Sequence, residues 1–225
     1  MGFIDFIFPR KCLGCKREGL YICRKCVEKM PALRHICPVC QRLSADGVTH
    51  AKCRKPLGLS GLTCLWPYEG VLRGAILALK YKFAREIARE FSVYIKDELQ
   101  KHLVSLPKEG ILLPVPLYWY RENFRGFNQS ELLGKAIAQE LGWEFNSGIL
   151  VRRRLKKPQT LLNEAQRRKN IRGAFSLNPE ASNVKSYKSI VLFDDVFTTG
   201  STLKEACRVL KSKGAERVWG LTVAR

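Results

Sequence analysis

Three C-x2-C pairs near the amino terminus constrain this chain more than any other feature of its sequence. The pairs are Cys12 and Cys15, Cys23 and Cys26, and Cys37 and Cys40. A C-x2-C turn presents two thiolates at the separation that one tetrahedral zinc ion requires. Seven residues separate the first pair from the second, so these two pairs can close on one ion with a short hairpin between them. The spacing therefore predicts an amino-terminal segment that is held together by metal.

The third pair has no C-x2-C partner, but His50-x2-Cys53 follows it with the same spacing and an imidazole in the first position. We therefore expect a second zinc site formed by Cys37, Cys40, His50 and Cys53, with Cys64 as a competing fourth ligand. Four protein ligands leave no open coordination position. Both sites are accordingly predicted to be structural rather than catalytic.

Disulfide pairing and redox chemistry are the alternatives for these cysteines. Disulfides need an oxidising compartment, and the apolar residues 3–8 contain an acid and lack the basic region of a signal peptide. No apolar run approaches the roughly 20 residues that a membrane helix needs. We therefore expect a cytoplasmic chain with reduced thiols and bound zinc. Three pairs in tandem argue against a thioredoxin-like site, and Cys207, alone in a helical pattern, is predicted to be a small buried side chain.

The formal charge of +20, from 40 Lys and Arg against 20 Asp and Glu, favours polyanionic partners. Nucleic acid, phosphorylated metabolites and an acidic membrane face all fit this charge. Residues 1–60 contain 12 basic and 4 acidic side chains, and residues 150–175 contain nine basic side chains and one acidic one. Charge alone does not choose among these partners.

The composition changes after Pro56-Leu57-Gly58, which predicts one domain over residues 1–60 and another over residues 61–225. Apolar spacing predicts one or two helices between residues 68 and 99, and a helix from Gln129 to Leu141 that Asn128 caps and Gly142 ends. We also expect strands at 111–117, 149–151, 189–193 and 218–223, a short exposed helix over 163–172 and a helix at 202–213. This alternation predicts an α/β fold, with a mostly parallel sheet and helices on both faces.

The stretch from Ile190 to Leu203 carries the clearest functional pattern. An apolar strand leads to Asp194 and Asp195, and a small, hydroxyl-rich turn then opens a helix. Ligands bind at this end of a strand in an open α/β sheet, and the first amides of the helix would cradle a phosphate. The hydroxyls belong to Thr198, Thr199, Ser201 and Thr202, and Gly200 lets the backbone approach the anion. The two carboxylates fit a sugar phosphate, whose ribose hydroxyls would donate to them.

This stretch resembles the phosphoribosyl pyrophosphate loop of type I phosphoribosyltransferases. With the cysteine pairs in front, the whole chain resembles the ComF family of competence-associated, phosphoribosyltransferase-like proteins. The other matching segments are Phe8-Pro9 before Cys12, Leu79-Lys80-Tyr81, Val115-Pro116-Leu117, Arg125-Gly126-Phe127-Asn128-Gln129-Ser130, Gln159-Thr160 and residues 167–175. His50 departs from the family pattern, which usually has a cysteine there, but the change preserves ligation.

The resemblance implies a type I phosphoribosyltransferase-like sheet preceded by a small double zinc-ribbon domain. It implies that Asp194 and Asp195 hold the ribose 2′- and 3′-hydroxyls, that residues 198–202 hold the 5′-phosphate, and that Mg²⁺ accompanies phosphoribosyl pyrophosphate. The loop after Val115-Pro116 would lie near the pyrophosphate. Arg125, Arg154 and Arg168 would offer cations to the pyrophosphate leaving group.

Three functions are compatible with these residues. The first is a transferase that displaces pyrophosphate in favour of an unknown acceptor, and the second is a protein that handles single-stranded DNA during natural transformation. The third is a sugar-phosphate sensor without turnover. We expect a role in DNA uptake, with a helicase or translocation machinery as possible partner. The basic residues 150–175 would form either a flap over the pyrophosphate or a track for single-stranded DNA, although Phe175 alone offers little base stacking there.

Overall fold

The structure is a computed structural model that describes residues 9–79, 84–117, 128–152, 171–180 and 183–225. Its strands are β1 (Gly61–Trp66), β2 (Ile111–Pro114), β3 (Glu144–Phe145), β4 (Leu150–Arg152), β5 (Phe175–Leu177), β6 (Ile190–Val196) and β7 (Val218–Ala224). Its α-helices are α1 (Arg24–Glu28), α2 (Gly70–Ala78), α3 (Ala84–His102), α4 (Gln129–Leu141) and α5 (Ser201–Ser212). Short 3-10 turns lie at Ala45–Gly47, Ala51–Cys53 and Val184–Ser186.

Five strands form one parallel sheet in the order β1-β7-β6-β2-β3. The chain runs outward from β2 to β3 on one side and from β6 to β7 on the other, so β2 and β6 flank the point where the strand order reverses. Ligands bind at the carboxyl ends of the strands at such a point. The strands β4 and β5 pair separately and antiparallel.

The sheet separates two apolar cores. Along β6, Val191 and Phe193 face the core formed with α2, α3 and α4, whereas Ile190 and Leu192 face the core formed with α5. All four side chains are buried, as expected for a strand that is covered on both faces. The predicted parallel sheet with helices on both faces is therefore confirmed.

Most of the predicted helices and strands are present, and local sequence features explain where α4 begins and ends. The Asn128 side chain accepts a hydrogen bond from the Ser130 amide at the start of α4, and Gly142 ends the helix with a φ of 65°. The strand β1 was not predicted, because its six residues are all buried and lack the alternation that marks a half-exposed strand. The helix predicted over 163–172 lies outside the described residues, apart from its last two positions.

The two halves of the cysteine-rich segment pack on opposite faces of the sheet. Ile22 of the first half is fully buried in the core with α2 and α3, and its backbone bonds to Glu90 and Tyr94 of α3. Ile36 of the second half packs in the core with α5. Between them, β1 forms the edge of the five-stranded sheet. The segment therefore straddles this edge and covers part of each face.

In the described part of the chain, no helix has both the length and the apolar character needed to cross a membrane.

Candidate functional site

The cysteine-rich segment contains two tetrads of metal-ligating side chains. The first consists of Cys12, Cys15, Cys23 and Cys26, and the second of Cys37, Cys40, His50 and Cys53. Within each tetrad the ligand atoms lie no more than 4.8 Å apart. A tetrahedron with Zn–S bonds of about 2.3 Å separates its sulfurs by about 3.8 Å. The sulfurs of Cys15 and Cys23 are 3.6 Å apart, so the arrangement fits a four-coordinate zinc ion.

Each tetrad begins with a backbone turn, and the two turns have the same conformation. In the first, the amide of Lys16 donates to the carbonyl of Cys12, and in the second the amide of Gln41 donates to the carbonyl of Cys37, each at 2.9 Å. Lys16 and Gln41 both have positive φ angles, of 63° and 59°. The segment is therefore a structural repeat, which the cysteine spacing alone indicated only in outline. We call residues 10–30 the first ribbon unit and residues 35–55 the second ribbon unit.

His50 is oriented for metal binding through its Nδ1 atom. Its Nε2 atom lies 2.9 Å from the carbonyl oxygen of Leu43, which can only accept, so Nε2 carries the proton and donates it. Nδ1 is then unprotonated, and it lies 3.4 Å from the sulfur of Cys40. A hydrogen bond from the distal ring nitrogen to a backbone carbonyl is a common support for a histidine ligand. The geometry therefore suits imidazole at the position where the first unit has Cys23.

The surroundings of the clustered thiols shift their pKa values in opposite directions. Burial alone would raise the pKa of Cys12, but backbone N–H groups of its turn donate to the sulfur and lower its pKa to about 6. Burial and the neighbouring thiols raise the pKa of Cys26 to about 12. Neighbouring thiolates repel one another, and a divalent cation relieves this repulsion. The donor set and its electrostatics thus both fit zinc.

The remaining two cysteines lie away from the tetrads. Cys64 is buried in β1, where the hydroxyl of Thr222 lies 3.2 Å from its sulfur, so it takes no part in the second tetrad. Cys207 is buried in α5, and its sulfur lies 3.7 Å from the carbonyl oxygen of Leu57. Burial raises the pKa of both thiols, to about 11 for Cys64 and about 12 for Cys207.

Asp194 and Asp195 lie near the carboxyl end of β6, beside the point where the strand order reverses. The Asp194 carboxylate accepts from the Asp195 amide at 2.9 Å and lies 3.4 Å from the hydroxyl of Ser130. Burial, and then the charge of Asp195, raise the pKa of Asp194 to about 8, while Arg152 acts in the opposite direction. A carboxyl group whose pKa is raised by burial and by a neighbouring carboxylate is typical of a functional site.

The turn that follows β6 consists of residues 198–202, which we call the phosphate turn. Gly200 has a φ of 71° and precedes the first residue of α5. The hydroxyls of Thr199 and Ser201 lie 2.7 Å apart, and the Lys204 ammonium donates to the Thr199 carbonyl at 3.1 Å. The Lys204 amide donates to the Gly200 carbonyl, and the Ser201 amide lies 3.4 Å from the hydroxyl oxygen of Thr199. The first amides of an α-helix have no carbonyl partner within the helix, and such a terminus stabilises an anion.

The start of α4 connects the neighbouring loops to this site. Asn128 Nδ2 lies 3.4 Å from the Val115 carbonyl at the end of β2, and Gln129 donates to the Leu79 carbonyl at 3.2 Å. Both side chains are buried. Ser130, the next residue, faces Asp194. The Asn-Gln-Ser segment therefore holds the ends of α2 and β2 beside the carboxylates, which gives a physical reason for this motif.

The three arginines predicted to face the pyrophosphate, Arg125, Arg154 and Arg168, lie outside the described residues. The described residue Arg152, at the end of β4, is the cation that acts on Asp194. Its guanidinium lies 5.2 Å from the ring centre of Phe175 and 3.4 Å from the Pro116 carbonyl. Arg152 stands in a run of three arginines, so no local signal in the sequence separates it from Arg153 and Arg154.

The comparisons with known proteins agree with this architecture. A family model described as a double zinc ribbon domain matches residues 3–55, and one described as a phosphoribosyl transferase domain matches residues 128–224. The two matches cover the two metal tetrads and the strand and turn with the paired carboxylates. The cysteine-rich segment is thus a double zinc ribbon, and the sheet belongs to a phosphoribosyltransferase-like domain.

Several relatives match two thirds or more of the chain. Competence protein F of Haemophilus influenzae is 35% identical over 158 residues, which cover 67% of this chain and 68% of the relative. The DNA utilization protein YhgH of Salmonella typhimurium is 31% identical, with 89% of each chain covered. Competence protein ComFC of Bacillus subtilis is 29% identical, with 91% of this chain and 83% of the relative covered. The chain therefore belongs to the ComF family.

Proposed function

We propose that this chain binds phosphoribosyl pyrophosphate, or a closely related sugar phosphate, together with Mg²⁺, and that it acts in the handling of single-stranded DNA during DNA uptake. One observation carries the first part of the proposal. Asp194 and Asp195 lie near the carboxyl end of a parallel strand beside the reversal of strand order, and a hydroxyl-rich turn that opens a helix follows this strand. Paired acceptors next to an anion cradle match a ribose 5-phosphate.

Each group of residues has a distinct task in this proposal. The carboxylates of Asp194 and Asp195 accept hydrogen bonds from the two ribose hydroxyls, and the amides and hydroxyls of residues 198–202 bind the 5′-phosphate. Mg²⁺ is held mainly by oxygens of the pyrophosphate and by water, and it offsets their charge. Arg152 and the three arginines selected from the sequence, Arg125, Arg154 and Arg168, bind the pyrophosphate.

The second part of the proposal rests on the relatives and on charge. The relatives are named as competence and DNA utilization proteins, and the formal charge of +20 favours a polyanion. We propose that the double zinc ribbon (residues 1–60) and the phosphoribosyltransferase-like domain (61–225) work together on single-stranded DNA in the cytoplasm, beside a helicase or translocation machinery. The zinc ions keep the ribbon folded and take no part in chemistry.

Turnover is a second candidate function, which Arg152 favours. The charge of Arg152 acts on Asp194 and its guanidinium lies 3.4 Å from the Pro116 carbonyl, so in this proposal it stabilises charge on a departing pyrophosphate. In that reaction the acceptor forms a bond to C1 of the ribose while the bond from C1 to the pyrophosphate oxygen breaks. Release of pyrophosphate that depends on an added acceptor supports this candidate, and intact ligand after long incubation with every acceptor tested identifies a sensor instead.

A series of related ligands tests which groups the site recognises. Thermal unfolding is followed with phosphoribosyl pyrophosphate and Mg²⁺, with ribose 5-phosphate, and with pyrophosphate and Mg²⁺ at equal concentration. We expect the largest rise in midpoint with the first ligand and a smaller rise with ribose 5-phosphate, because both occupy the phosphate turn. A rise with pyrophosphate alone that equals the first would contradict the assignment of the turn and the carboxylates.

Salt dependence tests the DNA-binding part. The affinity for a labelled single-stranded oligonucleotide is measured between about 50 and 300 mM salt, a roughly sixfold range of ionic strength. We expect log affinity to fall linearly with log salt, with a slope of about 0.7 for each phosphate neutralised. Affinity that does not depend on salt would contradict a role of the positive charge in DNA binding.

A further inference from the structure

A cleft of about 610 Å³ separates the second ribbon unit from α5. Val39 and Lys55 line it on the ribbon side, and Arg172 and Arg208 line it on the side of the sheet domain. Thr199 and Ser201 of the phosphate turn complete its lining. We call this space the ribbon cleft. Its volume falls in the range of about 300–1,000 Å³ that is usual for ligand pockets, so it suits a short segment rather than a large surface.

The charge of the ribbon cleft favours an anionic occupant. Its lining contains four basic side chains, Lys55, Arg172, Lys204 and Arg208, and one carboxylate, Glu205. The guanidinium of Arg208 makes hydrogen bonds of 2.9 and 2.8 Å to that carboxylate and so compensates its charge. The remaining basic side chains give the cleft a positive potential next to the phosphate turn.

Apolar side chains accompany these charges. Val39 and Leu57 line the cleft and are 37% and 42% exposed, so part of their apolar surface faces solvent. Leu59 and Ile171 also line the cleft and are buried. A phosphate alone does not need such a surface, but the sugar and base of a nucleotide do. The lining therefore combines contacts for phosphate with contacts for the less polar parts of a nucleotide.

The position of the cleft relative to the phosphate turn limits what can fill it. The lining includes Thr199 and Ser201 but neither Asp194 nor Asp195. A molecule in the cleft therefore reaches the turn through its phosphate and not through the ribose that the carboxylates would hold. The 5′-phosphate of phosphoribosyl pyrophosphate has one ester bond, to its ribose. A phosphate within a polynucleotide has a second ester bond, and the nucleotide attached there would extend into the cleft.

Several contacts hold the walls of the cleft in place. Glu205 accepts from the amide of Gly173 at 2.7 Å, which fixes the residues around Arg172 against α5. The Cys207 sulfur contacts the Leu57 carbonyl, and the Ser60 amide donates to the Val218 carbonyl at 2.8 Å. The ribbon side and the helix side are therefore joined near the base of the cleft. The cleft exists without any rearrangement of these residues.

We propose that the ribbon cleft binds a short segment of single-stranded DNA, one phosphate of which occupies the phosphate turn, so that single-stranded DNA and phosphoribosyl pyrophosphate exclude each other. The proposal rests on the proposed function, because it takes residues 198–202 as the phosphate site. It adds the location of the DNA segment and a competition between the two ligands. The sugar phosphate would then control how much DNA the protein retains.

The test compares two pairs of charge-neutralising substitutions in the full-length, zinc-loaded protein. Lys55→Gln with Arg172→Gln removes two charges from the cleft and leaves the phosphate turn intact. Lys101→Gln with Lys188→Gln removes two exposed charges elsewhere, each paired with a carboxylate. Binding of a fluorescent oligothymidylate is measured by anisotropy, and binding of phosphoribosyl pyrophosphate with Mg²⁺ is measured by calorimetry. Circular dichroism and zinc content check that each variant is folded.

We expect the cleft variant to bind the oligonucleotide at least 10-fold more weakly, with a salt slope reduced by about 1.4 for the two lost contacts. The control variant should lose less than about 3-fold, and both variants should bind phosphoribosyl pyrophosphate as the parent does. Equal losses in the two variants would overturn the location of the DNA segment.

Competition is measured in the parent protein. Saturating phosphoribosyl pyrophosphate should displace the oligonucleotide, whereas sodium chloride and Mg²⁺ at matched ionic strength should not. Unchanged oligonucleotide binding at saturation would overturn the shared phosphate site. Failure of the parent to bind phosphoribosyl pyrophosphate at all would contradict the proposed sugar-phosphate pocket and the competition, and the comparison of the two variants would still decide the location of the DNA.

Discussion

At the scale of single residues, Asp194 combines a cost in stability with the ligand-binding role that we propose for it. Its partly buried carboxylate lies next to a second one, and its pKa is raised to about 8. The folded protein therefore holds a proton that the unfolded chain releases once the pH exceeds about 4. Stability contributed by this group is present at low pH and is lost as the pH rises toward 8. A neutral side chain of the same shape would avoid this loss.

We therefore predict that Asp194→Asn stabilises the protein at alkaline pH while it weakens sugar-phosphate binding. The thermal midpoint should rise by about 3–6 °C at pH 8.5, which corresponds to about 1–2 kcal/mol in a chain of this size. The gain should be smaller at pH 5. Asp97→Asn, at an exposed position of α3, is the control and should show no such pH dependence. A variant whose gain did not grow with pH would contradict the account of Asp194.

His50 leads to a prediction about metal content. His50→Cys should retain two zinc ions per chain, because a thiolate can replace imidazole in this tetrad, whereas His50→Ala should lose one. Cys23→Ser should likewise lose one ion, from the first tetrad. Cys64→Ser is the matched control, since Cys64 lies in β1 away from both tetrads. Elemental analysis of the purified variants measures this directly, and loss of zinc from the Cys64 variant would show that the ligand set is wrong.

The role of a residue could be predicted from the sequence when the groups it interacts with are close to it along the chain. The spacing of His50 and Cys53 indicated a shared site because the pattern is local. The same holds for Asn128 as the cap of α4. The contact between Ser130 and Asp194 spans 64 residues, and it exists only because α4 packs beside β6. The role of Arg152 depends on β4 in the same way, so no local pattern could distinguish it from its neighbours.

At the scale of elements, the turn between β6 and α5 depends on one glycine. Gly200 has a φ of 71°, and a Cβ atom there would lie 2.4 Å from the ring of Phe197. Gly142, at the end of α4, has a similar φ of 65° but open space around it. Substitutions at the two positions therefore separate two contributions to the free energy of unfolding. At Gly142 only the positive φ disfavours a side chain, whereas at Gly200 the side chain would also clash with Phe197.

We predict that Gly142→Ala destabilises the protein by about 1 kcal/mol, the usual cost of a left-handed residue other than glycine. Gly200→Ala should cost about 1–3 kcal/mol more, because the ring of Phe197 must also move. It should also abolish sugar-phosphate binding, whereas the first variant should not. Chemical denaturation and calorimetry test both effects. Equal stability of the two variants would mean that the turn tolerates the side chain.

A strand or helix could be predicted where its sequence has a clear apolar pattern and residues that mark its start or end. The helix α4 has a cap and a terminal glycine, and β6 is an apolar run that ends in two acids. The strand β1 lacks such a pattern, since it is buried throughout and follows the ribbon directly. Its place at the edge of the sheet results from pairing with β7, at the other end of the chain.

At the scale of the whole molecule, the double zinc ribbon is part of the packing around the sheet. Its two units contribute Ile22 to one core and Ile36 to the other. The amide of Thr49 donates to the Ser60 carbonyl, and Val48 pairs with Gly61 at the start of β1. Loss of zinc should therefore affect the sheet edge as well as the ribbon.

We predict that removal of zinc with a chelator increases hydrogen exchange in β1 but leaves β6 protected. The ribbon units would no longer cover the edge strand, whereas β6 lies in the interior of the sheet between β7 and β2. Exchange followed by mass spectrometry separates these strands. If β1 kept its protection after zinc is lost, the ribbon would be an independent appendage.

The central claim is that the paired carboxylates and the phosphate turn bind phosphoribosyl pyrophosphate. The most direct test is calorimetric titration of zinc-loaded protein with phosphoribosyl pyrophosphate and Mg²⁺, beside the double variant Asp194→Asn/Asp195→Asn. We predict saturable binding to the parent protein and at least a 10-fold loss of affinity in the variant, with zinc content unchanged. Equal binding by the two proteins, or no binding by either, would contradict the claim.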